Sequence, residues 1–443
     1  MSSSRVCLPA RLGLLALFAV GAGCTVVIVP PPAPEPRVRV GPRAPLAPGA
    51  EDTTVRPVRR FDEVRALWVV RYTMTSEERV RSMVERAAAA NINTLIVQVR
   101  GRADAFYRSG LEPRGEAIRG PETFDPLALV IEEAHRHGMA VHAWINTHLV
   151  WGPTARPQSP QHVVNAHPDW LAVPHALGKE LAGVDPDDRR YFDRLVEHAR
   201  ANGSTVEGLY TSPSHPGVQD RVHAVWMDLA RRYDLDGLHF DYIRFPSANY
   251  DFSLGALERF RVWVRPSLTE ARFRELDNAY DVDLYAFVEG EPALWDGFRR
   301  AQIRHLVERI HHDVKALDDR FVVSAAVIAD PESAHDDRFQ DWPGWLRSGI
   351  LDVVVPMAYT PDRERFTQLV RAARAAAGSP DRVWAGIGAY MNTPSSTMEM
   401  IDIARREGAG GVALFSYDWA VGQGQGDPAD PLLERIGRAR FAR

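Results

Sequence analysis

The chain is poor in cysteine. Only Cys7 and Cys24 occur in 443 residues, and both fall within the first 24. The body that follows therefore has no disulfide framework, no thiolate zinc site and no cysteine nucleophile. Three catalytic signatures are missing as well. The sequence holds no GxSxG elbow, no Walker loop and no HExxH, so serine-hydrolase, NTPase and zincin chemistry lack their usual marks. Positive charge is not in excess either. A net charge of -5 and a pI near 6.3 argue against nucleic acid as a partner. What remains is ordinary globular usage, 45% hydrophobic and 25% charged, in a chain long enough to bury a large core. Eleven tryptophans and twelve tyrosines would serve sugar stacking or that core equally well.

The first 24 residues read as a leader. Arg5 and Arg11 precede the apolar run 12–23, which ends in Gly21-Ala22-Gly23 before Cys24. A basic start, a short apolar core and small residues before the cut describe a secretory signal. The placement of Cys24 resembles a bacterial lipobox, with Gly21 departing from the usual leucine or valine. This resemblance implies lipidation of Cys24, and Thr25 in place of aspartate implies an outer-membrane lipoprotein facing the periplasm. The competing reading is an uncleaved anchor, since residues 12–29 supply roughly the 18 apolar positions of a minimal span. Both readings put the body outside the cytoplasm on a membrane tether. Residues 25–60 hold Pro30-Pro31-Pro32, Pro34, Pro36, Pro42, Pro45 and Pro48, a semi-extended linker that builds no core.

From residue 61 onward, short apolar runs alternate with helical patterns. Strands are expected at 65–70, 93–99, 139–145, 238–243, 321–328, 351–359, 383–390 and 411–417. Helices are expected at 77–90 behind Ser76, 127–137 before Gly138, 218–233, 298–317, 363–377 and 395–407. Eight such units predict an α/β fold, a (β/α)8 TIM barrel over 61–443. An open doubly wound sheet also alternates, but it usually wants a glycine-rich turn after its first strand. Trp68-Val69-Val70-Arg71-Tyr72 stands there instead. The loops after strands three and four are long (147–234, with one helix, and 247–296), and such loops wall the catalytic face of a barrel. Their aromatics, Trp151, Trp170, Trp263, Trp295, Tyr210 and Tyr250, are candidate sugar-stacking walls, although packing within the loops explains any single one.

The central run is residues 233–246, YDLDGLHFDYIRFP. Leu238, Phe240 and Tyr242 alternate with His239, Asp241 and Ile243, and Pro246 is expected to stop the pairing. Asp241 and Arg244 then sit at the carboxyl end of a core strand. An unpaired carboxylate there is costly. It is either neutralised in a structural network with Arg244 or a tyrosine, or it is a catalytic acid at the barrel mouth. Asp104, Asp330 and Asp418 follow strands two, five and eight and point at the same mouth. Two carboxyls flanking a bond is the usual requirement for glycoside hydrolysis. Each of the three has a bland reading too, such as a turn before Pro331 or an ion pair to Arg100 or Arg102. His135, His137, His142 and His148 lie close in sequence but face different ways, so no metal or organic cofactor is indicated.

Residues 236–246, DGLHFDYIRFP, resemble the DGIHFDYIRYP signature of the glycosyl-hydrolase-like family 10 lipoproteins. Supporting matches are RALWVV at 65–70, QVRGRADAFYRSGLEP at 98–113, HAWIN at 142–146, HPDW at 167–170, VVPMAY at 354–359 and LFSYDW at 414–419. Thr147-His148 stands where the family has Pro-Tyr. The resemblance implies a TIM barrel and a secreted or lipid-anchored glycosidase acting on cell-wall glycan stripped of its peptides. The central strand is also similar to the chitinase DGxDxDxE run, but Ile243 occupies the place of its catalytic glutamate, which excludes that mechanism.

The expectation is a membrane-tethered cell-envelope glycoside hydrolase acting on polysaccharide, with denuded peptidoglycan the substrate the resemblance points to. Asp241 is the expected nucleophile or base, with Asp104, Asp330 and Asp418 competing as second carboxyl. Arg100, Asn146, His239, Arg244, Tyr359 and Trp419 are candidate substrate contacts. The alternatives are a glycan-binding envelope lipoprotein without chemistry and a hydrolase of another polysaccharide.

Overall fold

The computed structural model describes residues 59, 61–423 and 431–442. Cys24, the leader and the proline-rich linker lie outside these residues. Eight parallel strands form the centre: β1 Val64–Val69, β2 Thr94–Arg100, β3 Ala140–Asn146, β4 Gly237–Asp241, β5 Val322–Ile328, β6 Val353–Met357, β7 Trp384–Gly388 and β8 Gly411–Phe415. They pair in sequence order and close with β8 against β1, Leu67 facing Leu414. This is the (β/α)8 TIM barrel the alternation predicted.

Each strand is apolar on both faces because both are covered. Leu67, Leu95, Val97, Val141, Leu238, Phe240 and Val323 point outward into the layer shared with the helices. Ala66, Trp68, Ile96, Trp144, Ala326, Val355, Trp384 and Ala413 fill the lumen, which is a packed core and not a pore. Room for Trp68 comes from Gly386, where a Cβ would meet the Pro356 carbonyl oxygen at 2.6 Å and the Trp68 ring at 3.2 Å.

The amino-terminal face of the barrel is fastened by a repeated device. Asn93, Asp236 and Asp352 each stand just before an even-numbered strand. Their side-chain oxygens accept the backbone N–H of Arg65, Val141 and Val323 on the preceding strand, each at 2.9 Å. Helix starts are equally conventional. Ser76 caps Glu77–Ala89, Asp125 caps Pro126–Arg136, and Gly138 takes the left-handed φ of +71° beyond that helix. Among the described residues no helix is long and apolar enough to cross a membrane.

Three expectations need correction. β4 stops at Asp241 and does not run to Ile243, because Tyr242 turns the chain with φ +50°. The connection from β3 to β4 holds more than one helix. An antiparallel pair, Leu149–Trp151 with Leu209–Tyr210, is followed or spanned by Val163–Ala166, His175–Leu181, Arg189–Ala201 and Pro216–Arg232. Lastly, most loop aromatics are not a sugar-stacking wall. Phe252, Phe260, Tyr285, Phe287, Trp295 and Phe298 build a small core of their own in the loop after β4. Tyr210 and Tyr250 are buried, and Trp170 stacks on His167 at 4.0 Å. Trp263 alone of that set is well exposed, and it lies on the outside of the same small core, against Phe260 and Phe298.

Candidate active site

Parity along β4 decides which side chains see the barrel interior. Leu238 and Phe240 point outward, so His239 and Asp241 point inward, Asp241 nearer the mouth. His239 is completely enclosed. Its Nε2 accepts from the Trp68 indole at 3.4 Å, leaving Nδ1 to face the Ser324 hydroxyl at 2.8 Å. Burial holds its pKa well below the ordinary value, so the ring is a neutral part of the lumen and not a substrate contact at the mouth.

Asp241 is one layer higher and 6% exposed. Its Oδ2 accepts from the Trp144 indole at 3.1 Å, and its Oδ1 accepts from the backbone N–H of Tyr242 at 2.7 Å. Tyr242 itself takes a left-handed φ of +50° directly after the carboxyl. Non-glycine residues visit that region rarely, and such strain clusters at functional sites. Arg244 approaches Oδ1 at 3.4 Å, and its guanidinium stacks 4.2 Å over the Tyr242 ring. Burial raises the Asp241 pKa, and the charge of Arg244 only partly offsets it. Across the mouth stands a half-buried phenol, Tyr359. Burial and then the Asp241 charge keep it protonated.

Of the acids expected to join Asp241, none shares a hydrogen bond or ion pair with it among the described residues. Asp104 folds back on its own turn, its Oδ1 accepting from the backbone of Gly101 at 3.3 Å and Arg102 at 2.8 Å. Asp330 caps the helix Pro331–Asp337 and pairs with Arg365 at 2.6 Å, a link that lowers its pKa. Asp418 accepts from the Thr73 hydroxyl at 2.9 Å, tying the β8 loop to the β1 loop, and burial raises its pKa.

The carboxylate that does share a partner with Asp241 is Glu207, from the long loop after β3. Its Oε1 lies 3.7 Å from the Arg244 guanidinium, and its Oε2 accepts from the Tyr210 hydroxyl at 2.6 Å. One guanidinium thus touches both acids, which keeps their near oxygens within roughly 9.5 Å, the outer limit for a pair flanking one glycosidic bond. Sequence reading missed Glu207. It stands 34 positions before Asp241 in a loop, and only the sharing of Arg244 connects them. Arg100 is likewise placed by the fold. It pairs with buried Glu112 at 3.1 Å and donates to the carbonyls of Asn146 and Thr147. Asn146 accepts from the same Trp144 indole that holds Asp241, and its amide donates to the Gly101 carbonyl.

The mouth is therefore two-sided. Strands β2 to β4 present guanidinium and carboxyl groups. The opposite rim is aromatic, with Tyr359, Tyr390 and Trp419 in edge or tilted contact at 6.0 Å per step. Trp419 is 41% exposed and Tyr72, after β1, 55%. An open aromatic rim facing a buried acid is suited to hold a sugar ring by its apolar face while a proton is delivered to its edge.

Residues 63–379 match the family described as Glycosyl hydrolase-like 10. The chain is 24% identical over 289 residues to glycosyl hydrolase YngK of Bacillus subtilis, covering 60% of this chain and 46% of that one. It is also 24% identical over 289 residues to glycosyl hydrolase DigH of Escherichia coli K12, covering 61% and 55%. The chain thus spans about half the length of these relatives. Among solved structures it is similar to the glycoside hydrolase domain of PgaB (BpsB) from Bordetella bronchiseptica, at TM-score 0.57 and 17% identity over 82% of this chain and 96% of that one. The catalytic domain of a β-amylase from Paenibacillus polymyxa gives TM-score 0.53 at 10% identity, over 86% and 99%. At such identities the structures speak for the fold.

Proposed function

The chain belongs to the Glycosyl hydrolase-like 10 family, and from that premise we propose a glycoside hydrolase of the cell envelope that cleaves glycan strands, with denuded peptidoglycan as substrate. The observation that carries the reading is Asp241: a buried carboxyl at the carboxyl end of a barrel strand, with its pKa raised and its surroundings formed by Trp144, Tyr242, Arg244 and Tyr359. A carboxyl whose pKa burial raises above the ordinary value is suited to general-acid work rather than to the nucleophile or base role expected from sequence. Asp241 protonates the glycosidic oxygen as the bond breaks. Glu207, more open to solvent and held by Tyr210, takes the second carboxyl's place and activates the water. Arg244 lies between them and steadies the charges that exchange as the proton moves.

The tether is part of the proposal. Lipidation at Cys24 would place the barrel in the periplasm at the outer membrane, and Cys24→Ser should release it into the soluble fraction.

The test is release of reducing ends from peptide-stripped wall glycan, with chitin and an α-glucan beside it. Asp241→Asn is expected to abolish release while binding persists, and Glu207→Gln to lower the rate. A glycan-binding lipoprotein without chemistry forecasts the opposite, no release by the unaltered chain and unchanged binding in both variants. An undiminished rate in Asp241→Asn would falsify the catalytic assignment.

A further inference from the structure

Four guanidinium groups stand at the mouth after β1, β2 and β4, and their partners differ. Arg100 is neutralised by Glu112, and Arg244 is shared by Asp241 and Glu207. Arg71 and Arg102 have no carboxylate within ion-pair distance among the described residues. Arg71 donates to Gln98 Oε1 at 3.2 Å and to the Tyr72 hydroxyl at 2.8 Å, and lies 4.5 Å over the Tyr72 ring. Arg102 donates to the Gly101 carbonyl at 3.1 Å. The acid of the same turn, Asp104, spends its Oδ1 on backbone N–H groups.

The placement is built, not incidental. Arg71 lies flat across Gly101, where a Cβ would come within 2.5 Å of its Cδ and 2.8 Å of its Nη1. Any other residue at 101 would push the guanidinium away. The two side chains meet at Gly101, Arg71 packed across it and Arg102 donating to its carbonyl at 3.1 Å, and both are half-buried. Burial and then the Arg102 charge lower the Arg71 pKa, while the Asp104 charge works the other way. Two such charges side by side cost free energy, and Asp104 offsets them only from beyond ion-pair distance. Each guanidinium has five N–H donors in a fork that fits a carboxylate, and neither set is used up. The pair also communicates with the reacting centre. Gln98, which holds Arg71, donates to Asn146 at 3.4 Å, and the Trp144 indole bridges Asn146 to Asp241.

We propose that Arg71 and Arg102 form a subsite that binds a carboxylate carried by the glycan itself. The inference rests on the glycan-hydrolase reading and narrows it. Two carboxylate sources share this chemistry: the lactyl ether acid that peptide removal uncovers on wall glycan, and a uronate.

The test is binding by calorimetry to the full chain carrying Asp241→Asn, so that nothing is cleaved. The probes are peptide-stripped wall strands, the same strands methyl-esterified, neutral N-acetylglucosamine oligomers and a uronate–N-acetylhexosamine oligomer. The free-acid strands are expected to bind at least tenfold tighter than their esters. Raising salt should shrink that advantage, and Arg71→Gln or Arg102→Gln should cut it to threefold or less. Arg102→Gln loses one side-chain bond among the described residues and keeps the test usable if Arg71→Gln misfolds. Tighter binding of the uronate oligomer, with the same arginine dependence, assigns the carboxylate to a uronate. Equal binding of acid and ester, or an advantage that survives both substitutions, overturns the inference. Failure of the hydrolase reading looks different: the chain with Asp241 intact releases no reducing ends from any strand, while the acid-over-ester ratio persists.

Discussion

Strand β4 carries an aspartate at either end, and the two occupy opposite electrostatic surroundings. Asp236, just before the strand, accepts from Arg59 at 2.9 Å, from His135 at 3.0 Å and from the Val141 backbone at 2.9 Å. Burial alone would raise its pKa, but these partners outweigh it and lower it to about 2. Asp241, closing the strand, accepts from the Trp144 indole, the Tyr242 backbone and, at 3.4 Å, Arg244, yet burial outweighs these partners and its pKa is raised. The same residue type at two ends of five residues thus does two jobs. The lower face uses charge to fasten strands, while on the upper face burial outweighs the partners of a carboxyl, the condition the proposed proton delivery requires. The division follows the barrel, whose chemistry lies at the carboxyl ends of its strands.

Substituting each aspartate in turn should break this comparison cleanly. Asp241→Asn is expected to lower turnover by about 10³-fold, in keeping with loss of a general acid. Its stability should move the other way. A carboxyl whose folded pKa is raised holds its proton longer folded than unfolded, so it weakens the fold as pH rises past the ordinary carboxylate range. Urea midpoints at pH 7 should therefore be equal or higher in the variant, with the gain fading below about pH 4. Asp236→Asn is the mirror image. Its depressed pKa gives stability that is present above the ordinary value near 3.9 and lost as pH falls through about 2. The expected loss at pH 7 is about 2 kcal/mol, with kcat per folded molecule unchanged. The gap between variant and parent should close as the urea series is taken from pH 4 towards pH 2. A large stability loss in Asp241→Asn, or none in Asp236→Asn, would erase the distinction between the two faces.

Much of this was legible in the chain and some was not, for identifiable reasons. Strands such as TLIVQVR and VVSAAVI announce themselves because both their faces are buried, and Asp241 stood out as a charge inside such a run. The parity that places His239 inward was also readable, but its depth was not. Only the fold shows that Trp68 and Ser324 take both its nitrogens. The short helices Val163–Ala166 and His175–Leu181 hold too few residues to display a period. Glu207 was invisible because nothing local marks a loop glutamate whose partner lies far along the chain. The aromatics failed differently. Composition cannot separate Trp295, packed in the small core after β4, from Trp419, open at the mouth.

Trp419 gives the smallest of the three effects and tests the upper face alone. It is 41% exposed, and among the described residues its one ring–ring contact is Tyr390, at 6.0 Å. Trp419→Ala should therefore leave thermal unfolding within a degree or so of the parent, since an exposed surface residue usually changes stability by less than about 0.5 kcal/mol. Its cost should fall on ground-state binding of a sugar ring, about 1 kcal/mol or roughly fivefold in KM with kcat kept. Steady-state rates on stripped glycan strands separate these outcomes. A fall in kcat with KM unchanged would mean that the indole acts on the reacting bond, and the aromatic rim would then have to be counted with Asp241 rather than against it.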